Sequence, residues 1–364
     1  MRNHTGLFLW CLLLVFIDCT SEPVPVDIKK PLVIDAANDT ADTREDASPL
    51  GSFTDMASLP AETDLPISSF GEIWGYLVSG REDSLKAQYP LSDIGYFGAE
   101  VNNYGELVDV PDPKKVPSFT GRIHLVVCCN SRALTHFVLM EGSPVRQRLI
   151  TALLEASKPF DGLHIDFESV PPRDGASFRS FLEELRKGLG GSKRFTVALP
   201  ARTRTLDNDV YDYGKIKDLV DRILVMAYDE HWSTSEPGPI ASMSWCQSVA
   251  AYALKTIGPE KLIMGIPFYG RTWGNMNPNR AFIFSGIEGI KKEQGISEIR
   301  REQGIPTFTY ETPVTVTVYY EDDYSLSVRM EMYRALGVQS IGFWRLGQES
   351  PSFWKQLTLI HASY

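Results

Sequence analysis

The chain alternates short apolar segments, typical of β-strands, with longer segments whose apolar residues recur at helical spacing. Residues 145–157 and 176–189 each carry an apolar stripe, and Gly190 with Gly191 ends the second helix. The pattern predicts strands at residues 72–78, 94–99, 123–129, 162–168, 195–199, 222–228, 262–268 and 340–344. This alternation predicts a parallel sheet with helical crossovers, and eight strands in this length favour a closed (β/α)8 TIM barrel, an α/β fold.

The segment between the seventh and eighth predicted strands is too long for a single helix. Residues 307–311 and 314–320 are β-rich, which predicts a small α+β insertion over about residues 272–322. In a barrel, such an insertion would rise beside the carboxyl ends of the strands, where barrel enzymes hold their active sites.

The predicted strand at residues 162–168 places three titratable side chains on one face. Leu163, Ile165 and Phe167 share one parity, whereas His164, Asp166 and Glu168 share the other. Two carboxyl groups two residues apart resist ionising together, so one is expected to remain protonated near neutral pH. The strand therefore indicates a general acid.

The amino-terminal residues predict export. Residues 1–21 have a basic start, an apolar run and small residues near Cys19, as in a secretory signal peptide. A lipoprotein signal that ends before Cys19 is the alternative, and it would place a lipid anchor on that cysteine. Residues 22–66 are rich in acidic residues and proline, which predicts a flexible linker before a catalytic barrel at residues 67–364. An exported protein would be periplasmic, on the cell surface or secreted.

The net charge and the cysteines exclude several function classes. Ten acidic and three basic residues give residues 22–66 a charge of −7, most of the −10 of the whole chain. The rest of the chain carries no basic stripe, so nucleic-acid binding is not expected. The five cysteines form no CxxC pair and no HExxH helix is present, so neither a metal nor a cofactor is expected. We expect a monomer.

The predicted strands carry motifs that resemble those of family-18 glycoside hydrolases, the chitinase family. The resemblance spans about residues 72–346 in the family's order, including the segment from Ile94 to Leu107 with Phe97. Its motifs are Asp161-Gly162-x-x-x-Asp166-x-Glu168, Met226-Ala227-Tyr228-Asp229, the run from Lys261 to Arg271, and Gly342-Phe343-Trp344.

The resemblance implies roles for four residues in a retaining mechanism that uses the 2-acetamido group of the substrate. Glu168 would protonate the leaving oxygen, and Asp166 would hold the acetamido N–H. Tyr228 would donate a hydrogen bond to the acetamido oxygen, and Trp344 would form the floor under the sugar. The substrate would be a β-1,4-linked glycan that contains N-acetylglucosamine.

The remaining candidate residues have weaker support. Their candidate role is substrate binding, and they are Asp229, Arg271, Tyr76, Phe97, Asp161 and His164. Asp161 precedes a glycine at the start of a strand, so a turn residue and a sugar contact are both open. His164 is either an interior histidine or a member of the site.

Two positions differ from the usual family pattern. His164 stands where the chitinases carry another Asp; a histidine can hydrogen-bond Asp166, and we expect an altered pH profile. Val127-Cys128-Cys129-Asn130 replaces a Ser-x-Gly-Gly segment, and its bulkier residues could reshape the sugar subsites. With the sequence Glu230-His231-Trp232, these features resemble bacterial cell-wall and spore-lysin members more than dedicated chitinases.

Three functions are compatible with the resemblance. The leading hypothesis is a hydrolase of peptidoglycan or chitin. The alternatives are an endo-β-N-acetylglucosaminidase acting on N-glycans and a catalytically weak, lectin-like protein that binds chitin or peptidoglycan.

Overall fold

Eight parallel strands close into a barrel in a computed structural model, which describes residues 60–274, 280–312 and 314–360. The predicted signal peptide and most of the predicted linker lie outside the described residues. The strands of the described part are β1 (Ser68–Phe70), β2 (Glu72–Val78), β3 (Asp93–Val101), β4 (Leu107–Val108), β5 (Arg122–Cys128), β6 (Gly162–Asp166), β7 (Arg194–Pro200), β8 (Arg222–Met226), β9 (Leu262–Pro267), β10 (Gly270–Gly274), β11 (Arg280–Phe282), β12 (Arg300–Glu302), β13 (Ile305–Glu311), β14 (Thr315–Tyr319), β15 (Ser340–Trp344) and β16 (Leu357–Leu359).

The barrel consists of β2, β3, β5, β6, β7, β8, β9 and β15, paired in that order. It is closed by the parallel pair of β15 with β2. The predicted (β/α)8 barrel is therefore confirmed. Strands β6 and β8 each end two residues earlier than predicted, at Asp166 and Met226. In β6 the last paired residue is Asp166, opposite the final residue of β5, and the pairing with β7 ends one residue earlier, at Ile165.

Helices cover the barrel, and their boundaries follow the polar and glycine residues at their ends. In the described part they are α1 (Arg132–Leu139), α2 (Pro144–Ala156), α3 (Gly175–Leu189), α4 (Tyr213–Ile216), α5 (Met243–Thr256), α6 (Phe284–Gln294) and α7 (Asp323–Leu336). Helix α2 begins after Ser143, whose hydroxyl accepts a hydrogen bond from Val145 N. Helix α3 buries Phe178 and Phe181 and ends at Gly190, whose φ is 64°. No described helix is long and apolar enough to cross a membrane.

A second, antiparallel sheet lies between β9 and β15 in the chain. Its strand order is β11-β10-β14-β13-β12. Helix α6 contributes Ile287 to an apolar cluster with Phe308 and Val318 of this sheet. Strand β10 begins at Gly270, where a Cβ atom would lie 2.4 Å from the Tyr320 Cβ. Arg271 lies four residues beyond the end of the seventh barrel strand, opposite Tyr319.

Charged residues fill the barrel at the amino ends of its strands. The Arg122 Nε atom donates to Asp93 Oδ1 at 2.7 Å, and His124 Nε2 lies 2.8 Å from the same oxygen. Arg222 donates to Glu72 at 2.8 Å. Burial alone would raise the pKa of Asp93, but hydrogen bonds from His124 and Arg122 outweigh it and bring the pKa to about 2. The ionised carboxylate therefore stabilises the folded barrel.

Replacing Asp93 by Asn is expected to lower the free energy of unfolding by about 2–4 kcal/mol at pH 7. The depressed pKa means that this contribution is complete above the ordinary carboxyl pKa and is lost as the pH falls through about 2. Urea unfolding at pH 7 and pH 3 checks it, with the exposed Asp207→Asn as control. A destabilisation as large at pH 3 as at pH 7 would contradict the ionic role of Asp93.

Candidate active site

Asp166 and Glu168 lie together at the carboxyl end of the fourth barrel strand. Asp166 is the last residue of β6, and Glu168 lies two residues further, in a turn at the barrel mouth. The parity of β6 directs His164 and Asp166 into the barrel, whereas Leu163 and Ile165 are buried on the other side. The strand therefore delivers the two carboxyl groups to the face where barrel enzymes hold their sites.

The surroundings of the two carboxyl groups favour their protonated forms. Asp166 is buried, and its Oδ1 atom accepts no hydrogen bond from any described residue. Burial, followed by the charge of Glu168, raises the pKa of Asp166 well above its usual range. Glu168 is exposed at the mouth, but the protein around it and the charge of Asp229 raise its pKa as well. The pair therefore retains a proton at a pH where isolated carboxyl groups are ionised.

His164 is a buried structural residue beneath this pair. Its Nε2 atom lies 2.8 Å from Tyr76 Oη, and its Nδ1 atom lies 2.7 Å from Thr196 Oγ1. Thr196 is its direct partner on β7. Burial, with a smaller effect of His124, lowers the pKa of His164 to about 3, so the imidazole is neutral. Both ring nitrogens are engaged, so the hydrogen bond to Asp166 that the sequence allowed does not form.

Trp344 lies at the end of the eighth barrel strand, above an aromatic layer. It is half-buried, and its ring meets Tyr76 edge-on at 5.1 Å and Phe97 at 5.3 Å between centroids. Its peptide bond to Arg345 is cis. Tyr76 is itself buried and hydrogen-bonded to His164, so it supports the indole from below. Tyr76 on β2 and Phe97 on β3 were both weaker candidates for substrate binding. Of the two, Phe97 is more accessible to solvent.

Tyr228 enters the site from beyond the end of β8. A Cβ atom at Gly265 of the next strand would lie 2.9 Å from Tyr228 Cε1, so glycine there leaves room for the phenol ring. Burial, followed by the nearby Tyr76 and Asp166, raises the pKa of Tyr228 well above its usual value. The hydroxyl group is therefore protonated and available as a hydrogen-bond donor.

Asp229 and Arg271 meet at the rim of the site. Asp229 has a φ of 55°, a left-handed conformation that aspartate tolerates better than most residues. Its Oδ1 atom accepts hydrogen bonds from Tyr269 Oη at 2.6 Å and from Arg271 Nη2 at 3.3 Å. Tyr269 was not among the candidate residues named from the sequence, although it lies within the family motif that runs from Lys261 to Arg271.

Asp161 is not brought to the same site. It precedes the first residue of β6, whereas Asp166 is the last, and its Oδ2 atom accepts a hydrogen bond from Ile123 N at 2.8 Å. The structure places it at the amino end of the barrel strands as a backbone cap. In the described residues, no group of His, Cys, Asp and Glu side chains could hold a metal ion.

The family model for glycosyl hydrolases family 18 matches residues 133–349, which contain most of this site. The chain belongs to this family. The family match covers the carboxyl pair, Tyr228, Arg271 and Trp344, and the second sheet.

Individual relatives agree with this membership, and a solved structure agrees with the fold. The chain is 31% identical over 228 residues to an uncharacterized glycosylase, YvbX, of Bacillus subtilis, covering 57% of this chain and 66% of that protein. It is 25% identical over 277 residues to a cortical fragment-lytic enzyme of Bacillus anthracis, covering 70% and 64%. The fold is similar to that of the Bacillus cereus spore cortex-lytic enzyme SleL, with a TM-score of 0.72 and 22% identity, covering 82% and 76%. The chain thus spans about two thirds of the length of these curated relatives.

Proposed function

We propose that the protein is a retaining glycoside hydrolase that cleaves β-1,4-linked glycans containing N-acetylglucosamine through the substrate's 2-acetamido group. The observation that carries the proposal is the pair of neighbouring carboxyl groups, Asp166 and Glu168, at the carboxyl end of β6, where burial raises the pKa of both. Family membership supports the chemistry, because family-18 enzymes are an exception to the scheme with two catalytic carboxylates.

Glu168 acts as the general acid. It is the more exposed of the two carboxyl groups, and its raised pKa keeps a proton available for the leaving glycosidic oxygen. Asp166 is buried and favours its protonated form, which makes it a hydrogen-bonding group rather than a nucleophile. The acetamido oxygen of the substrate therefore attacks the anomeric carbon as the leaving oxygen takes the proton. Water then opens the cyclic intermediate, and the two inversions together retain the configuration.

Tyr228 and Trp344 hold the reacting sugar. The protonated Tyr228 hydroxyl donates to the acetamido oxygen and directs it toward the anomeric carbon. The half-buried indole of Trp344, supported by Tyr76 and Phe97, offers a flat apolar surface to the sugar ring. The carboxyl pair supplies the proton chemistry, and these aromatic residues set the geometry.

Peptidoglycan is the substrate we favour over chitin. The support is the similarity to a cortical fragment-lytic enzyme, together with the residues His164 and Cys128 that depart from the chitinase pattern. An exported protein, as residues 1–21 predict, would meet either glycan outside the cytoplasm. N-glycans remain the alternative for the same chemistry.

Offering the purified protein chitin oligomers, peptidoglycan and an N-glycoprotein side by side tests the proposal. Release of new reducing ends from peptidoglycan, and their absence with Glu168→Gln, is the expected result. If the wild type and the Glu168→Gln variant both bind sugar and neither cleaves any substrate, the proposal is overturned in favour of a lectin.

Replacing Tyr269 by Phe is expected to raise KM about threefold to tenfold, with a smaller effect on kcat. The substitution removes the hydroxyl that holds Asp229 Oδ1 at 2.6 Å, and a hydrogen bond to a charged group contributes about 1.5–3 kcal/mol, part of which Arg271 retains. Steady-state kinetics on the best substrate measure the effect. Tyr252→Phe, which loses a surface hydrogen bond to Thr205, is the control. Unchanged KM in the Tyr269 variant would remove this residue from the site.

A further inference from the structure

A third carboxyl group lies level with the catalytic pair, two strands away. In the barrel register, Glu100 of β3 pairs with Cys128 of β5, and Cys128 pairs with Asp166 of β6. Partners in adjacent strands direct their side chains to the same face. His124 and Val126, which share the parity of Cys128, lie inside the barrel. Glu100 therefore faces the barrel mouth. Two strand spacings separate its Cα atom from that of Asp166 by about 10 Å.

A β-bulge gives Glu100 this direction. The register of β3 against β5 shifts between Phe97 and Ala99, so that Phe97 and Glu100 both face inward although they are three residues apart. Gly98 occupies the bulge, and a Cβ atom there would lie 2.9 Å from Ser79 Cβ. Without the shift, the alternation of the strand would turn Glu100 away from the mouth.

The Glu100 carboxyl group is only partly solvated: burial, followed by the charge of Asp109, raises its pKa. Its Oε1 atom is buried and accepts no hydrogen bond from any residue that the structure describes. Cys128, the residue between Glu100 and Asp166, is small and 4% exposed, so it forms a low floor between the two carboxyl groups. Burial, followed by the charge of Asp166 and then that of Glu100, raises the pKa of the Cys128 thiol, which is thus an inert part of this floor.

We propose that Glu100 is a specificity-determining residue, which accepts a hydrogen bond from a neutral N-acetylhexosamine next to the reacting sugar and rejects a sugar that carries a carboxylate there. This inference rests on the proposed function. A buried, unpaired acceptor is costly until a ligand donates to it, so a sugar hydroxyl or amide N–H gains binding at this point. Above its raised pKa Glu100 is ionised, and a free lactyl carboxylate, as on N-acetylmuramic acid without a peptide, would instead meet a like charge.

The consequence concerns which bond is cleaved. In glycan strands without stem peptides, N-acetylglucosamine alternates with N-acetylmuramic acid that carries a free lactyl carboxylate, so a requirement for the neutral sugar at one position selects one of the two β-1,4 bonds. A chitin oligomer, in which every sugar is neutral, meets no such restriction.

The test compares two defined substrates with the full chain. They are an N-acetylglucosamine tetramer and an alternating tetrasaccharide whose muramic residues carry free lactyl carboxylates. For Glu100→Gln, we expect the ratio of kcat/KM on the alternating substrate to that on the neutral one to rise about tenfold, because Gln keeps the acceptor oxygen and loses the charge. The sugar at the new reducing end, identified by mass spectrometry, should become mixed. Glu100→Asp retains the charge and should retain the wild-type ratio, as should the exposed control Glu141→Gln.

The outcomes separate this inference from the proposed function. If the wild type cleaves neither substrate, the proposed function falls and the inference falls with it. If the wild type is active but Glu100→Gln leaves both the ratio and the cleaved bond unchanged, the inference alone is overturned. Equal loss on both substrates would also overturn it, because a purely structural role lowers both rates together.

Discussion

Replacing Glu168 by Gln is expected to lower kcat on a natural glycan by about 10²–10⁴-fold. Gln has nearly the same shape as Glu, so substrate binding should persist, but its amide cannot protonate the leaving oxygen. The loss should be much smaller on an aryl glycoside with an acidic phenol, because that leaving group departs without a proton. Steady-state kinetics on both substrates therefore distinguish loss of the general acid from loss of structure.

The exposed Glu183→Gln removes the same charge from α3 and serves as the control. Equal losses on the glycan and on the aryl glycoside would argue that Glu168 positions the substrate rather than protonates it. Undiminished cleavage of the glycan would remove Glu168 from the chemistry altogether.

Replacing Asp166 by Asn is expected to lower kcat by about 10²-fold and to move the alkaline limb of the kcat/KM profile to lower pH. The active form holds a proton on the carboxyl pair, and activity falls as the pH rises through the higher pKa of the pair. Burial raises the pKa of both carboxyl groups, and the charge of Glu168 raises that of Asp166 further. With Asn at position 166 the last proton of the pair no longer has to leave against a neighbouring carboxylate, so Glu168 alone titrates, at a lower pH.

Asp229 provides an internal check, because its charge also raises the pKa of Glu168. Asp229→Asn should shift the alkaline limb in the same direction. An alkaline limb that stays in place in the Asp166 variant would contradict the coupling of the two carboxyl groups.

Local periodicity was sufficient to predict the barrel, from eight strand segments alternating with helices, and the carboxyl pair, from one strand. Alternation in residues 162–168 separates Asp166 and Glu168 from the apolar side chains, and this property is local. The same pattern overextended the strand, because its end depends on where the pairing with β5 and β7 stops. Asp161 belongs to the same motif but precedes the strand, and of the two roles that the sequence left open the structure shows the turn role, as a backbone cap at the opposite end of the barrel.

Contacts that cross strands could not be predicted from the sequence. The partners of His164 are Tyr76 and Thr196, and only the barrel register brings them within hydrogen-bonding distance. The direction of Glu100 depends on a bulge at Gly98, and a strict period of two assigns it to the wrong face. A glycine inside a predicted strand was the available signal for that bulge.

The central claim is that the acetamido group of the substrate, and not a second protein carboxylate or a directly attacking water, is the nucleophile. Proton NMR of the first product released from the preferred N-acetylated glycan measures the anomeric configuration before mutarotation. The account predicts the β-anomer, accompanied by loss of cleavage when the reacting sugar is de-N-acetylated. An α-anomer as the first product would contradict it.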